Sequence, residues 1–195
     1  MGRKGLTAGV VAGTCLALAA GCPASAGSWR ADQSAGGLTF EATQAGARFT
    51  GRFERFTADI AFDPAAPADC RFDVTITTAS AQTGESQRDG LLKGEDFFWV
   101  ERYPAASFRG SGCQATEAGF ELDGELTLRG VTRPVSLGFD FEAGPDGSRL
   151  SGATTLRRLD FGVGQGEWAG TQWVGGDVTV RFDLALPPGR AGAAR

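Results

Sequence analysis

LTLRGVTRPVSLGF, Leu126 to Phe139, decides how the rest of the chain is read. Leu126 and Leu128 lie two apart, as do Val135, Leu137 and Phe139. That is the period at which a strand sends successive side chains to one face. Arg129-Gly130-Val131-Thr132-Arg133-Pro134 separates the two apolar runs, so the stretch reads as two paired strands joined by a hinge. Whether the hinge carries a catalytic arginine, or only turns the chain at the rim of something hollow, depends on what the strands enclose.

Outward from this segment the period persists. Phe120, Leu122 and Gly124 extend the first stripe backwards, and Leu150, Gly152, Thr154 and Leu156 follow the second. Val178, Val180, Phe182, Leu184 and Leu186 close the pattern. Upstream, Leu38 and Phe40 alternate, then Phe49, Gly51 and Phe53, then Ile60 and Phe62, then Phe72, Val74 and Ile76. Turn residues stand between them at Asp63-Pro64, Glu117-Ala118-Gly119 and Gly144-Pro145-Asp146-Gly147. About eight strands of this kind predict an all-β antiparallel barrel or sandwich. Glycines inside the strand patterns, at 51, 124, 130 and 152, mark places where a sheet bulges or bends. One stretch breaks the rule. GESQRDGLLKGEDFFWVERYP, residues 84–104, has apolar residues at mixed spacing and is expected to form one or two short helices capping a barrel end.

The first 26 residues read as a secretory signal, with Arg3 and Lys4, an apolar Leu6–Ala20 run and an Ala24-Ser25-Ala26 cleavage site. A second reading stays open, in which Ala20-Gly21-Cys22 ends a lipoprotein signal and Cys22 becomes the lipidated terminus. Either places the protein in the periplasm or outside the cell. One domain over 27–187 follows, and residues 188–195, rich in Gly, Ala and Arg, are expected to be disordered. Losing Arg3 and Lys4 from 19 basic side chains leaves 17 against 23 acidic ones, a net −6 with no basic run, which argues against nucleic acid as a partner.

The sequence supplies little for catalysis. There is no histidine, so the commonest general base and metal ligand are missing. No Gly-x-Ser-x-Gly occurs, and no catalytic residue, metal or cofactor is expected. Gly162-Val163-Gly164-Gln165-Gly166 resembles a phosphate-cradling loop but lies between strands, and is read as a loop over a barrel mouth. Arg88 with Asp89 in the cap is read as surface ion pairing, or as a hold for a polar ligand head. Arg129 and Arg133 are read as rim arginines that solvate the turn, or as side chains that steer an anionic head group.

GRFERFTADIAFDP (51–64), FDVTITTASAQTGESQRDGLLKGEDFFWVERYPAASF (72–108), GELTLRGVTRPVSLGFDF (124–141) and LRRLDFGVGQGEWAGTQWVGGDVTVRFDL (156–184) resemble, in order and spacing, the YceI-like family. The resemblance covers residues 28–186 and implies a lipocalin-like, eight-stranded antiparallel β-barrel, exported to the bacterial periplasm. It also implies that a long amphiphile, a polyisoprenoid or quinone-like lipid, lies in an apolar tunnel. Many family members carry a histidine after the first strand, where this chain reads FEATQAGARFTG (40–51). In that respect it is similar to the branch associated with membrane b-type cytochromes. In such a barrel the expected lining residues are Phe40, Phe53, Phe97, Phe98, Leu126, Leu128, Trp168 and Trp173. The function expected is binding of the lipid for transport, storage or sequestration. The alternatives are an accessory subunit docked on a membrane cytochrome and a lipid-acting enzyme; a homodimer is the further partner considered.

Cys70 and Cys113, the two cysteines downstream of the leader, are expected to form a disulfide. The strand bearing Phe72 begins at Cys70, and the strand bearing Phe108 runs out at Cys113, so antiparallel pairing brings them together. Cys113 has the wrong parity for this, which calls for a bulge at Gly110-Ser111-Gly112.

Overall fold

The structure, a computed structural model, describes residues 27–188 and the strand Arg190–Ala191. The expected leader, Cys22 and the remainder of the tail lie outside the described residues. The strands are β1 (Gly27–Asp32), β2 (Gly36–Gln44), β3 (Ala47–Phe53), β4 (Phe56–Phe62), β5 (Arg71–Thr77), β6 (Ala81–Gln82) and β7 (Ala105–Ser111). They continue with β8 (Gln114–Thr116), β9 (Gly119–Leu128), β10 (Val131–Gly144), β11 (Gly147–Arg157), β12 (Asp177–Leu186) and β13 (Arg190–Ala191). One helix, α1 (Ser86–Lys93), lies between β6 and β7.

These strands form one curled antiparallel sheet in the order β13-β1-β4-β5-β7-β9-β10-β11-β12-β2-β3-β6, with β8 beside β9. The all-β architecture with a helical cap is as expected, but among the described residues the strands number thirteen rather than eight. β6, β8 and β13 have only two or three residues each, and β1 alternates around a single large apolar residue, Trp29. Two residues of the tail expected to be disordered form β13 and pair with Gly27 and Ser28.

The β9–β10 hairpin sets the register. Val135 pairs with Gly124, Leu137 with Leu122 and Phe139 with Phe120, so each inward stripe meets another. The hinge is shorter than its sequence suggests, because Val131–Pro134 belong to β10. Arg129 (φ 52°) and Gly130 (φ 74°) alone make the turn, both left-handed, as a two-residue hairpin with the right twist requires.

The two ends of the curl differ. At one end Phe62 packs against Phe120, Phe139 and Phe141, with ring centroids 4.8, 5.2 and 5.1 Å apart, and Phe72 reaches Phe139 at 5.2 Å. Trp29 joins through Phe141, and its Nε1 donates to the Pro187 carbonyl at 2.9 Å. Each such aromatic pair contributes about 0.5–1.5 kcal/mol beyond the area it buries, so this cluster is a stiff floor. Beside it lies the Cys70–Cys113 disulfide, with Cα atoms 5.7 Å apart. The β5–β7 ladder ends at Arg71–Ser111. Gly112, at φ 81°, then redirects the chain, donating to the Cys70 carbonyl, and Cys113 comes to face Cys70. The parity change therefore happens just past the end of the ladder.

At the other end the cap closes over the strands. The Glu85 carboxylate accepts from the amides of Gln87 and Arg88, at 2.9 and 2.8 Å, and so starts α1. Leu92, Phe97 and Phe98 are buried beneath the cap. Arg129 donates through Nη2 to the Glu95 carbonyl at 2.6 Å, and its guanidinium stands 5.6 Å from the Trp99 ring. The rim arginine is thus a tie between the β9–β10 turn and the cap. Arg133, on β10, is exposed.

Candidate functional site: an apolar cavity with a polar mouth

Between floor and cap lies a cavity of about 210 Å³, walled by the inward stripes of β2–β5, β7 and β9–β12. Glycine keeps it open. The ring of Phe40 occupies the place a β-carbon would take at its cross-strand partner Gly51, and Phe182 does the same over Gly152. Phe108 lies against Gly124 in the same way. The strand glycines read as bends are therefore seats for aromatic rings along the wall.

Seven residues expected at the lining do line the cavity: Phe40, Phe53, Phe97, Phe98, Leu126, Leu128 and Trp168. Phe53 and Phe98 approach to 5.9 Å between centroids, and Phe97 and Trp168 to 5.8 Å, so they join wall to cap. Trp173 does not line it; the residue is 66 % exposed. Its carbonyl accepts from Ala45 N at 2.7 Å, which fixes the loop by its backbone and leaves the indole in solvent.

The sequence reading missed Gln44 and Arg158 among the lining polar residues. Arg88 does line the cavity, its Nε donating to Gln44 Oε1 at 3.0 Å and its guanidinium lying 4.1 Å from the Phe49 ring centroid. Asp89 does not share that role. Its carboxylate accepts from the Thr83 amide and hydroxyl, both at 2.7 Å, and the hydroxyl bond above all holds its pKa below the usual aspartate range. Glu85 is likewise lowered, by the Gln87 and Arg88 amides it caps.

Arg158 follows β11, where the alternation stops. It is 4 % exposed and donates to four carbonyls: Gly175 (2.9 Å, from Nε), Val163 (2.8 Å, from Nη1), Gly170 (2.6 Å) and Val174 (2.9 Å, both from Nη2). Burial lowers its pKa; an arginine nonetheless keeps its proton in a protein. No side-chain signal marks those acceptors in the sequence, because all are backbone. The glycine-rich loop is also spoken for: the amides of Gly164 and Gln165 donate to the Asp96 carbonyl at 2.7 and 2.8 Å, tying the loop to the cap.

The fold and cavity define an antiparallel β-barrel-like protein of lipocalin-like form, closed at one end by aromatics and capped at the other. The YceI-like domain matches residues 29–186, and the chain belongs to that family. A UPF0312 protein of Shewanella oneidensis is 31 % identical over 139 residues, covering 65 % of this chain and 70 % of the relative. One from Pseudomonas aeruginosa is 34 % identical over 119 residues, 58 % of this chain and 62 % of the relative. Among solved structures, BcnA of Burkholderia cenocepacia is similar with a TM-score of 0.75 at 27 % identity, over 78 % of this chain and 96 % of that one. A polyisoprenoid binding domain from Saccharophagus degradans shares the fold with a TM-score of 0.58 at 16 % identity, over 82 % of this chain and 98 % of that one.

Proposed function

We propose that this chain is an exported, non-catalytic binding protein that holds the tail of a long isoprenoid or quinone-like amphiphile in its cavity, for transport, storage or sequestration. The observation that carries the reading is the cavity itself: apolar walls, a floor sealed by aromatic rings, and polar side chains gathered under the cap. Each methylene-sized unit of a tail moved from water into such a space gains about 0.8 kcal/mol, and the few polar groups orient the head. The void is smaller than the roughly 300–1,000 Å³ of clefts that bury drug-sized ligands. A long tail therefore enters by moving wall rings or the cap. The polyisoprenoid binding described for the Saccharophagus degradans domain agrees with this reading. Export is supported by the charged and apolar leader with its Ala24-Ser25-Ala26 site.

The test is extraction of the purified protein with organic solvent followed by mass spectrometry, which should return an isoprenoid-tailed molecule at near-stoichiometric yield. A second reading, an accessory subunit docked on a membrane protein such as a b-type cytochrome, is favoured by Trp173, exposed beside Val174 of the mouth. Protein purified from its native host with no extractable lipid, but co-purifying with a haem protein, would support that reading instead.

A further inference from the structure

Leu91, Leu159 and Trp173 are the large apolar side chains exposed among the described residues, Trp173 most of all. All three stand at the cap end. Leu91 is on α1, one turn past Arg88, and lines the cavity as well as meeting solvent. Leu159 follows the buried Arg158 where β11 ends, and Trp173 precedes Val174 of the cavity wall. One network fixes their places: Arg88 donates to Gln44, Gln44 bridges to Val174, and the Val174 carbonyl accepts from Arg158. A single exposed leucine is ordinary on a protein surface, but these residues share one rim and run into the apolar cavity.

Charge is divided between the ends as well. The cap end (residues 44–48, 83–104, 128–133 and 157–177) carries eight acidic and eight basic side chains. The floor end (residues 63–71, 114–121, 140–149 and 185–191) carries seven acidic against three basic. Of the two, the cap end is therefore the one that meets an anionic surface without repulsion, since salt screens the acids more than about 8–10 Å behind it. Arg48 lies on the β2–β3 hairpin whose Ala45 amide holds Trp173, Arg157 lies two residues before Leu159, and both arginine side chains are exposed. The three apolar residues come from separate segments around an opening, not from one flat patch of the kind that makes the core of a protein–protein interface. A fluid apolar layer can meet such a rim. Tryptophan, with an apolar ring and a polar N–H, favours the boundary of that layer.

We infer that the cap end docks on the surface of a lipid bilayer, with Trp173, Leu91 and Leu159 entering the interfacial layer and Arg48 and Arg157 among the head groups. Docking of this kind goes beyond the binding reading above, since it needs no occupant in the cavity. The test is co-sedimentation with sucrose-loaded vesicles, of phosphatidylcholine alone or mixed equally with phosphatidylglycerol. The chain from residue 27 is used, because it holds every described element and lacks the Leu6–Ala20 run, which would bind vesicles by itself. It should sediment with both kinds of vesicle. Trp173→Ala should weaken partitioning about fivefold or more, Trp173→Phe should keep most of it, and Trp173→Ala/Leu159→Ser should bring it close to nothing. Arg48→Glu should weaken binding to the mixed vesicles several-fold and to pure phosphatidylcholine little. In the Trp173 and Leu159 variants, which touch no wall residue, far-ultraviolet circular dichroism and affinity for a prenyl probe should stay those of the parent. A parent protein that ignores both kinds of vesicle overturns the proposal, as does binding untouched by the double variant. Sedimentation only with vesicles carrying membrane proteins of the native host would assign the face to a protein partner and overturn it too. Vesicle binding by a protein that takes up no prenyl probe would sink the cavity reading and leave docking standing.

Discussion

Phe40 and Gly51 face one another across β2 and β3, and the Phe40 ring fills the space a side chain at 51 would need. With Phe182 over Gly152 and Phe108 against Gly124, this lets three large rings lie along the wall instead of standing in the lumen. The cavity is thus a product of paired choices on neighbouring strands.

Gly51→Ala should therefore act on the cavity and not only on stability. The added methyl overlaps the ring, so Phe40 must swing inward or the strands must part, at a cost of about 1–3 kcal/mol for overpacking. A lower urea midpoint together with weaker uptake of a prenyl probe is the expected result. Adding Phe40→Leu to the same variant should recover both. Uptake unchanged in the single variant would show that the ring does not border the ligand's path.

Phe53→Trp and Leu128→Trp place extra volume on the wall of a void of about 210 Å³. Each should weaken binding of a long prenyl probe while the far-ultraviolet circular dichroism stays that of the folded sheet. Trp173→Ala changes a side chain that is 66 % exposed and outside the wall, so probe affinity should not move. Equal losses in all three would argue for a site other than the cavity.

Period two told which face each strand residue takes, because one face of this sheet is buried and the other wet. It said nothing about depth. Phe62, Phe120 and Phe139 share the pattern of Phe72 and Leu126, yet the first three plug the floor and the last two line the void. Trp173 lies in a loop without a period, so its direction was not readable. The cap was legible as the break in alternation between Gly84 and Pro104. Arg158 was not, because its partners are the carbonyls of residues 163, 170, 174 and 175, which fold back only after β11 ends.

Acid should loosen the cap. Asp89 holds Thr83 and Glu85 caps α1, and both carboxyls are lowered below their usual values. A lowered folded-state pKa stabilises above the unfolded value, about 3.9 for Asp and 4.3 for Glu, and the effect is lost as pH falls through the folded pKa. The Gln87, Arg88 and Thr83 amide resonances should shift with pH at a midpoint below the usual carboxylate range. In a Glu85→Gln/Asp89→Asn variant that titration should vanish. Its persistence would mean other carboxylates hold the cap.

The Cys70–Cys113 crosslink joins residues 43 apart and encloses β5, β6, α1 and β7 in one loop. Closing such a loop in the unfolded chain should stabilise the domain by about 3–4 kcal/mol on the chain-entropy estimate. The bond sits at the floor, far along the strands from the mouth, beside Phe72 and the aromatic cluster. Its loss should therefore lower stability through the unfolded state and leave tail affinity in the surviving folded fraction nearly unchanged. Cys70→Ala/Cys113→Ala should show a lower urea midpoint and an unfolding free energy reduced by about 3–4 kcal/mol, with a prenyl probe binding as in the parent under native conditions. Gly112→Ala offers an independent check, because φ 81° is unfavourable for any side chain and the turn that presents Cys113 depends on it. That variant should fold more slowly under oxidising conditions and show a larger fraction of free thiol before completion. Two free thiols at these positions in non-reduced, denatured parent protein would remove the crosslink, and a large fall in probe affinity in the double variant would tie the floor to the ligand after all.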